Sequence, residues 1–491
     1  MRSRLQFRIL ICTCLLCLST PLALHAAERT AVYVLQQIID RLFTKKISTR
    51  ASTAVKVASA ATGEVLYERN ASTLLTPAST MKLFTSATAL TTLGRDYNFR
   101  TVVSTDDTSR GIAIIHGNLF LEGFGDPYLT STDLRNLAAY LNKRGLREVE
   151  GDVEGDESFF DHASACIGEN GRDYSSIRLP HLSSLTVDLN VLTMTLSPAK
   201  RKGAKALVGF PAGGSFFKVV NRTSCVNTRV RYRPSVKAVW TDSNCTVVID
   251  GRMAIRSRSR LYNIPVRCPA WYAAALFREY LQKEGINVNG KAQVGAAPGK
   301  NRQLSENKDP IVAVLTAMNK ESDNFAAEMV LRTLGAENVG TPGTAAKGVK
   351  AINDFVDDIG VPRASRRIYD GSGMSHQNAL SANAFVGLLR YMYTRRDLFY
   401  AFYSTLPSAG VDGTLQYRMS GTEAEGNLRA KTGTLNGVTS LAGYVKSADE
   451  ELLVFSITSQ DFSSGRKRYK SLQDSIGVIL ASFSRGQYSG N

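Results

Sequence analysis

The chain has 491 residues, 43% of them hydrophobic, 21% charged and 8% aromatic, which is the composition of a globular protein and excludes disordered and fibrous classes. At roughly 150 residues per domain the length suggests about three structural units. The formal charge of +17 draws a protein toward polyanions without selecting nucleic acid, anionic lipid or an acidic wall polymer.

Residues 1–26 differ from the rest. Arg2, Arg4 and Arg8 precede the apolar run Ile9 to Leu18, and small residues end in Leu24-His25-Ala26-Ala27, the pattern of a secretory signal cleaved after Ala26 or Ala27. Cys17 follows two leucines, unlike a lipoprotein signal. No later stretch approaches about 18 apolar residues, so the mature chain is expected to be soluble. Four cysteines then remain, Cys166, Cys225, Cys245 and Cys268. In an oxidising compartment they permit two disulfides, with Cys225–Cys245 the expected pair because these residues flank two strand-like runs. Zinc is disfavoured, since there is no Cys-x-x-Cys and His116, His162, His181 and His376 are scattered.

In chain order, Thr30 to Lys46 has helical periodicity, and Ala54 to Ala58 and Glu64 to Glu68 form a hairpin across Thr62-Gly63. From about Phe99 to Ile264 short strands such as Gly111 to Leu121 and Leu192 to Leu196 follow one another, interrupted by a helix near Thr132 to Lys143. Leu428 to Thr434, Thr439 to Val445 and Glu451 to Ser459 are three more strands, and a helix from Arg466 to Phe483 closes the chain. The five strands at the two ends can form one antiparallel sheet covered by the first and last helices. The expected organisation is α+β: 27–98 and 265–491 as two parts of one domain, with 99–264 a strand-rich, two-part insertion.

Three short motifs carry chemistry. Ser79-Thr-Met-Lys82 puts a lysine three residues after a serine, on one helix face. The spacing recurs at Ser197/Lys200, Ser215/Lys218, Ser305/Lys308 and Ser464/Lys467, but only Ser79 opens an apolar helix behind a proline, Pro77. There a neutral Lys82 can take the hydroxyl proton. Ser322-Asp-Asn324 lies between two helical runs, where a cap is the ordinary reading. Lys431-Thr-Gly433 on a strand offers a cation and a hydroxyl to a carboxylate.

With these motifs in this order the sequence resembles the penicillin-recognising serine acyl-transferases, whose signature is Ser-x-x-Lys, Ser-Asp-Asn and Lys-Thr-Gly. Within them it is similar to the class C, type-four low-molecular-mass penicillin-binding proteins, D-alanyl-D-alanine carboxypeptidase/endopeptidases. The likeness runs from Leu74 to Lys82 through Gly125-Asp-Pro127 and Gly151-Asp-Val153 to Tyr369-Asp-Gly-Ser-Gly373 and Ala409-Gly-Val-Asp-Gly-Thr414. That family carries a large insertion between its first two motifs, as here, and ordinary β-lactamases do not.

The resemblance implies a transpeptidase-like fold, a five-stranded antiparallel sheet flanked by helices, and assigns roles. Ser79 is the nucleophile and Lys82 its proton acceptor. Ser322 relays a proton to the leaving amine with help from Lys431, and Asn324 holds the substrate amide. Lys431, Thr432 and Thr434 bind the terminal carboxylate, and the backbone N–H groups of Ser79 and Thr434 form the oxyanion hole. It also implies an Asp of the insertion facing the cleft. Asp156, in Gly155-Asp-Glu-Ser-Phe-Phe-Asp161, is the candidate partner for a side-chain ammonium of the substrate. The expected partners are peptidoglycan stem peptides and β-lactam inhibitors, outside the cytoplasm, with neither cofactor nor nucleic acid. Two other readings compete: a β-lactamase, for which no Glu-x-x-Leu-Asn segment follows Asn324, and a non-catalytic wall-binding protein, against which the intact motifs argue.

Overall fold

The computed structural model describes residues 30–43, 52–161, 180–230, 233–241, 244–462 and 465–486. The segment 1–26 expected to be a signal, Cys166 and His162 lie outside them. The chain divides into two compact units, each discontinuous in sequence: residues 1–91, 315–323 and 352–491 in one, and 92–314 with 324–351 in the other.

The first unit is built on a five-stranded antiparallel sheet with the order Arg429–Leu435, Val438–Lys446, Leu452–Gln460, Ser52–Ser59, Val65–Arg69. These are the five strands expected from the two ends of the sequence. Alternation explains how the sheet is covered. Val55, Val57, Leu441, Leu453, Phe455 and Ile457 point to one face, where they share a core with Ala31, Leu35 and Ile39 of the helix at 30–43 and with Leu472, Ile476 and Leu480 of the final helix Arg466–Ser482. On the other face lies the helix Ala382–Thr394, whose Leu389 carbonyl accepts a 2.8 Å hydrogen bond from the buried Tyr444 hydroxyl. Covered on both faces, the strand Val438–Lys446 is buried at every residue but the last, which is why it reads as an unbroken run. Residues 82–90 of the helix Lys82–Thr92 are likewise all buried.

The second unit holds a mixed five-stranded sheet in the order Ala292–Val294, Val153–Asp156, Leu119–Gly123, Asn98–Thr105, Arg302–Pro310. The helices Ser131–Lys143 and Pro269–Lys283 share its core, burying Leu134 and Leu141 from one and Trp271, Phe277 and Tyr280 from the other. Smaller three-stranded sheets complete it. This unit extends beyond the span 99–264. The strand Arg302–Pro310 pairs with Asn98–Thr105, and Phe325 and Met329 of the helix Asn324–Asn338 pack with Phe160 and Leu182.

The expected Cys225–Cys245 disulfide is corrected by strand register. The strands Lys218–Val226 and Asn244–Ala254 run parallel, and Cys225 stands opposite Met253. At about 3.3 Å per residue, Cys245 is then roughly 26 Å away along the partner strand, far beyond the ~7 Å Cα separation a disulfide spans. Cys225 and Cys245 are both free thiols. The Cys225 sulfur instead accepts from the Ala199 N–H at 3.2 Å, and burial pushes the Cys245 thiol up to about 12.

Candidate active site

Ser79 sits in a single 3₁₀ turn, Ala78–Met81, that runs directly into the helix Lys82–Thr92. Ala78 adopts a left-handed φ of 50°, an unfavourable backbone for a residue with a side chain, and its surroundings hold it there. The Pro77 carbonyl accepts from the hydroxyls of Thr80, at 2.6 Å, and Ser440, at 2.5 Å. Gly433 lies against the same segment: a β-carbon there would stand 2.1 Å from the Ser440 hydroxyl and 2.7 Å from the Pro77 carbonyl oxygen. Its missing side chain therefore lets the Lys431-Thr-Gly433 strand lie on the turn that carries Ser79.

The helix turn brings Lys82 back to its serine, with Nζ 3.2 Å from Ser79 Oγ and 2.8 Å from the Ser372 carbonyl oxygen. Ser322 stands at a left-handed φ of 58°, just beyond the helix Ile311–Lys320. The preceding turn is pinned. Asn319 donates to the hydroxyls of Ser86 and Thr405 at 2.9 and 3.0 Å, and Lys320 pairs with Asp412 at 2.6 Å. Lys431, from the edge strand of the sheet, donates to Ser322 Oγ at 2.8 Å and to the Thr432 carbonyl at 3.0 Å. Both lysines are wholly buried. Burial first, and the neighbouring positive charge of Lys82 second, hold the Lys431 ammonium well below the ordinary lysine range.

Ser79, Lys82, Ser322 and Lys431 thus form two hydroxyl–amine pairs within the first unit, drawn from residues far apart in sequence. Thr432 shares a 2.7 Å hydrogen bond with Thr414, while Thr434 is exposed, opposite Thr439 on the next strand. Asn324 is the first residue of the helix Asn324–Asn338, where the second unit's share of the chain resumes. Asp156 belongs to the second unit and is buried, and its two carboxylate oxygens accept from the N–H groups of Ser158 and Ala297, each at 2.8 Å. No group of three or more His, Cys, Asp or Glu among the described residues is arranged to hold a metal ion, and none of the described helices is long and apolar enough to cross a membrane.

Sequence reasoning noted the loop that supports Lys82 as part of the family likeness but gave it no role. Gly371 and Ser372 turn their carbonyls to Thr85 and Lys82, at 2.7 and 2.8 Å, and Gly373, at φ 83°, would put a β-carbon 1.9 Å from the Ala78 carbonyl oxygen. The available signal was the run Tyr369-Asp-Gly-Ser-Gly373, in which two glycines flank a serine directly after an Asp.

Comparison with known proteins places the chain in a family. The model of the D-Ala-D-Ala carboxypeptidase 3 (S13) family matches residues 35–482. A D-alanyl-D-alanine carboxypeptidase of Actinomadura sp. is 32% identical over 95% of this chain and 88% of its own length. The carboxypeptidase DacB of Haemophilus influenzae is 26% identical over 87% of this chain and 88% of its own. The crystal structure of penicillin binding protein 4 from H. influenzae superposes with a TM-score of 0.72 at 25% identity, covering 90% of this chain and 98% of that one. The two hydroxyl–amine pairs therefore sit in a penicillin-recognising α+β fold, and the chain, a serine-type peptidase, belongs to the D-Ala-D-Ala carboxypeptidase 3 (S13) family.

Proposed function

We propose that this enzyme cleaves the D-alanyl-D-alanine end of peptidoglycan stem peptides, and cross-links built on it, through an acyl-enzyme on Ser79. The observation that carries the proposal is the Lys82–Ser79 contact of 3.2 Å, with Lys82 fully buried. A neutral amine has two N–H groups and one lone pair. With one N–H directed to the Ser372 carbonyl, the lone pair can face the serine hydroxyl, within reach for proton transfer. Ser79 Oγ attacks the carbonyl carbon of the scissile bond as its proton passes to Lys82 Nζ. The C–N bond then breaks while Ser322, held by Lys431, hands its proton to the departing nitrogen and is reprotonated at the expense of the proton Lys82 took from Ser79. Water then cleaves the ester, adding its hydroxyl to the acyl carbon and its proton to Ser79 Oγ, so that the amine and both hydroxyls return to their starting states.

Lys431, Thr432 and Thr434 recognise the terminal carboxylate, Asn324 the substrate amide, and the N–H groups of Ser79 and Thr434 the oxyanion. Release of free D-alanine and release of a cross-linking peptide differ only in the leaving amine. A β-lactam acylates the same serine, but its leaving group stays tethered and obstructs water. The H. influenzae protein has been crystallised with a β-lactam, which supports this part of the reading. The substrate lies outside the cytoplasm, in keeping with the signal-like segment 1–26.

Fluorescent penicillin tests the assignment. Wild type should be labelled and Ser79→Ala unlabelled, and an adduct mapped to another serine would overturn the site. Release of D-alanine from a D-Ala-D-Ala peptide with negligible nitrocefin turnover separates this activity from a β-lactamase, and labelling without release would indicate a non-catalytic binder. Asp156 would meet a substrate ammonium with the lone pairs left by Ser158 and Ala297, a carboxylate having about four acceptor positions. Asp156→Asn should then lower kcat/KM for a diaminoacid-containing peptide about tenfold and leave penicillin acylation unchanged. Equal losses for both ligands would assign Asp156 to folding alone.

A further inference from the structure

Lys82 is held by a main-chain carbonyl, and main chain is only as well placed as the loop that carries it. Residues 369–378 have almost no regular structure, yet they present two successive carbonyls to one face of the helix Lys82–Thr92, which follows the turn of Ser79: Gly371 to Thr85 and Ser372 to Lys82. What gives the loop its shape is a pair of side chains. Asp370 Oδ1 accepts from the Gly373 N–H at 2.6 Å and from the Asn378 amide at 2.8 Å, and its Oδ2 accepts from the Ser375 N–H at 2.7 Å. Asn378, fully buried, accepts from the Tyr369 N–H at 2.8 Å and donates to the Ser375 carbonyl at 3.1 Å.

We propose that Asp370 and Asn378 are positioning residues, which act through the Ser372 carbonyl to keep the Lys82 amine aligned with Ser79. The contact matters twice in a turnover. With Lys82 neutral, the carbonyl engages an N–H and leaves the lone pair for the hydroxyl. Once Lys82 has taken the proton, the same oxygen faces an ammonium, and hydrogen bonds to charged groups are the stronger kind. The carbonyl therefore favours the product of the transfer more than its reactant. Asp370 is suited to fixing it because one carboxylate accepts three bonds at once, two from main-chain N–H groups on either side of Met374. The Gly373 backbone, lying on Ala78, ties the loop to the turn that carries Ser79. A displacement of about 1 Å in a base of this kind is enough to cost one to two orders of magnitude in rate.

The proposal rests on Ser79 and Lys82 being nucleophile and base, so the penicilloyl adduct of the wild type is first mapped by mass spectrometry. An adduct at Ser79 leaves that reading standing, and the variants then address the loop alone. Rapid-mixing kinetics with a fluorescent penicillin separate the non-covalent dissociation constant from the acylation rate constant. Asp370→Ala should lower the rate constant about tenfold or more while the dissociation constant stays within about twofold, and Asp370→Asn, which retains one acceptor oxygen, should fall between it and wild type. A rate constant within twofold of wild type in a folded Asp370→Ala, or equal losses in affinity and rate, would overturn the proposal. Should Asp370→Ala give no cooperative melt, Asp370→Asn decides alone: a threefold or larger loss confined to the rate constant supports the role, and an unchanged rate constant refutes it.

Discussion

Lys431 lies in the interior beside a hydroxyl, a carbonyl and the like charge of Lys82. Its depressed proton affinity suits a group that lends a proton to Ser322, and it makes a measurable demand on stability. Above its folded value and below about 10.4, the ordinary value for lysine, the unfolded chain holds a proton that the folded chain does not. Unfolding free energy from this group therefore rises with pH across that window. The melting temperature of wild type relative to Lys431→Met should rise as pH is raised toward the ordinary lysine value. A difference independent of pH would contradict the depressed affinity. The two lysines were legible in the sequence because a cation at fixed spacing from a hydroxyl is itself a chemical pattern. Asp370 was not, because its partners are mostly main-chain amides, which every residue type supplies. Gly433 was legible as part of the Lys431-Thr-Gly433 motif, but the groups its missing side chain lets approach, the Pro77 carbonyl and the Ser440 hydroxyl, come from other parts of the chain.

Among the elements, the edge strand Arg429–Leu435 and the 3₁₀ turn Ala78–Met81 depend on each other. Gly433→Ala would force the strand away from Pro77 or shift Ser440, an overpacking of about 1–3 kcal/mol. The expected outcome is a folded protein with a lowered urea midpoint and penicillin acylation slowed by about tenfold or more. Unaltered acylation would show that the strand and the turn are not coupled. The strands at the two chain ends could be read from the sequence because each runs at least five residues, with turn residues between them. The second unit was harder. Its pairs include strands of two or three residues, such as Ile114–Ile115, Glu148–Val149 and Ala292–Val294, too short to show a period of two. Parallel pairings such as Leu119–Gly123 with Val153–Asp156 leave no hairpin signature.

Across the whole molecule, sequence proximity was a poor guide to partnership. Cys225 and Cys245 are twenty residues apart in the chain, and parallel pairing still places them at different levels of one sheet. Peptide mapping without reductant should recover Cys225 and Cys245 in peptides not joined to each other, and a joined pair would contradict the register. The converse case is the sheet of the first unit, where Thr53 and Ser459, 406 residues apart, share a 3.0 Å hydrogen bond. Because Ser52–Ser59 pairs on one side with Leu452–Gln460, the first unit depends on contacts of very long sequence separation, and its sheet cannot close before Leu452–Gln460 has been made. Until then Ser79 and Lys82 can form their helix, but Lys431 and the strand that steadies the nucleophile turn have not arrived. The growing chain is therefore a hydrolase without hydrolytic power, and the stretch of polypeptide between Ser52–Ser59 and Leu452–Gln460 sets the delay before it becomes one.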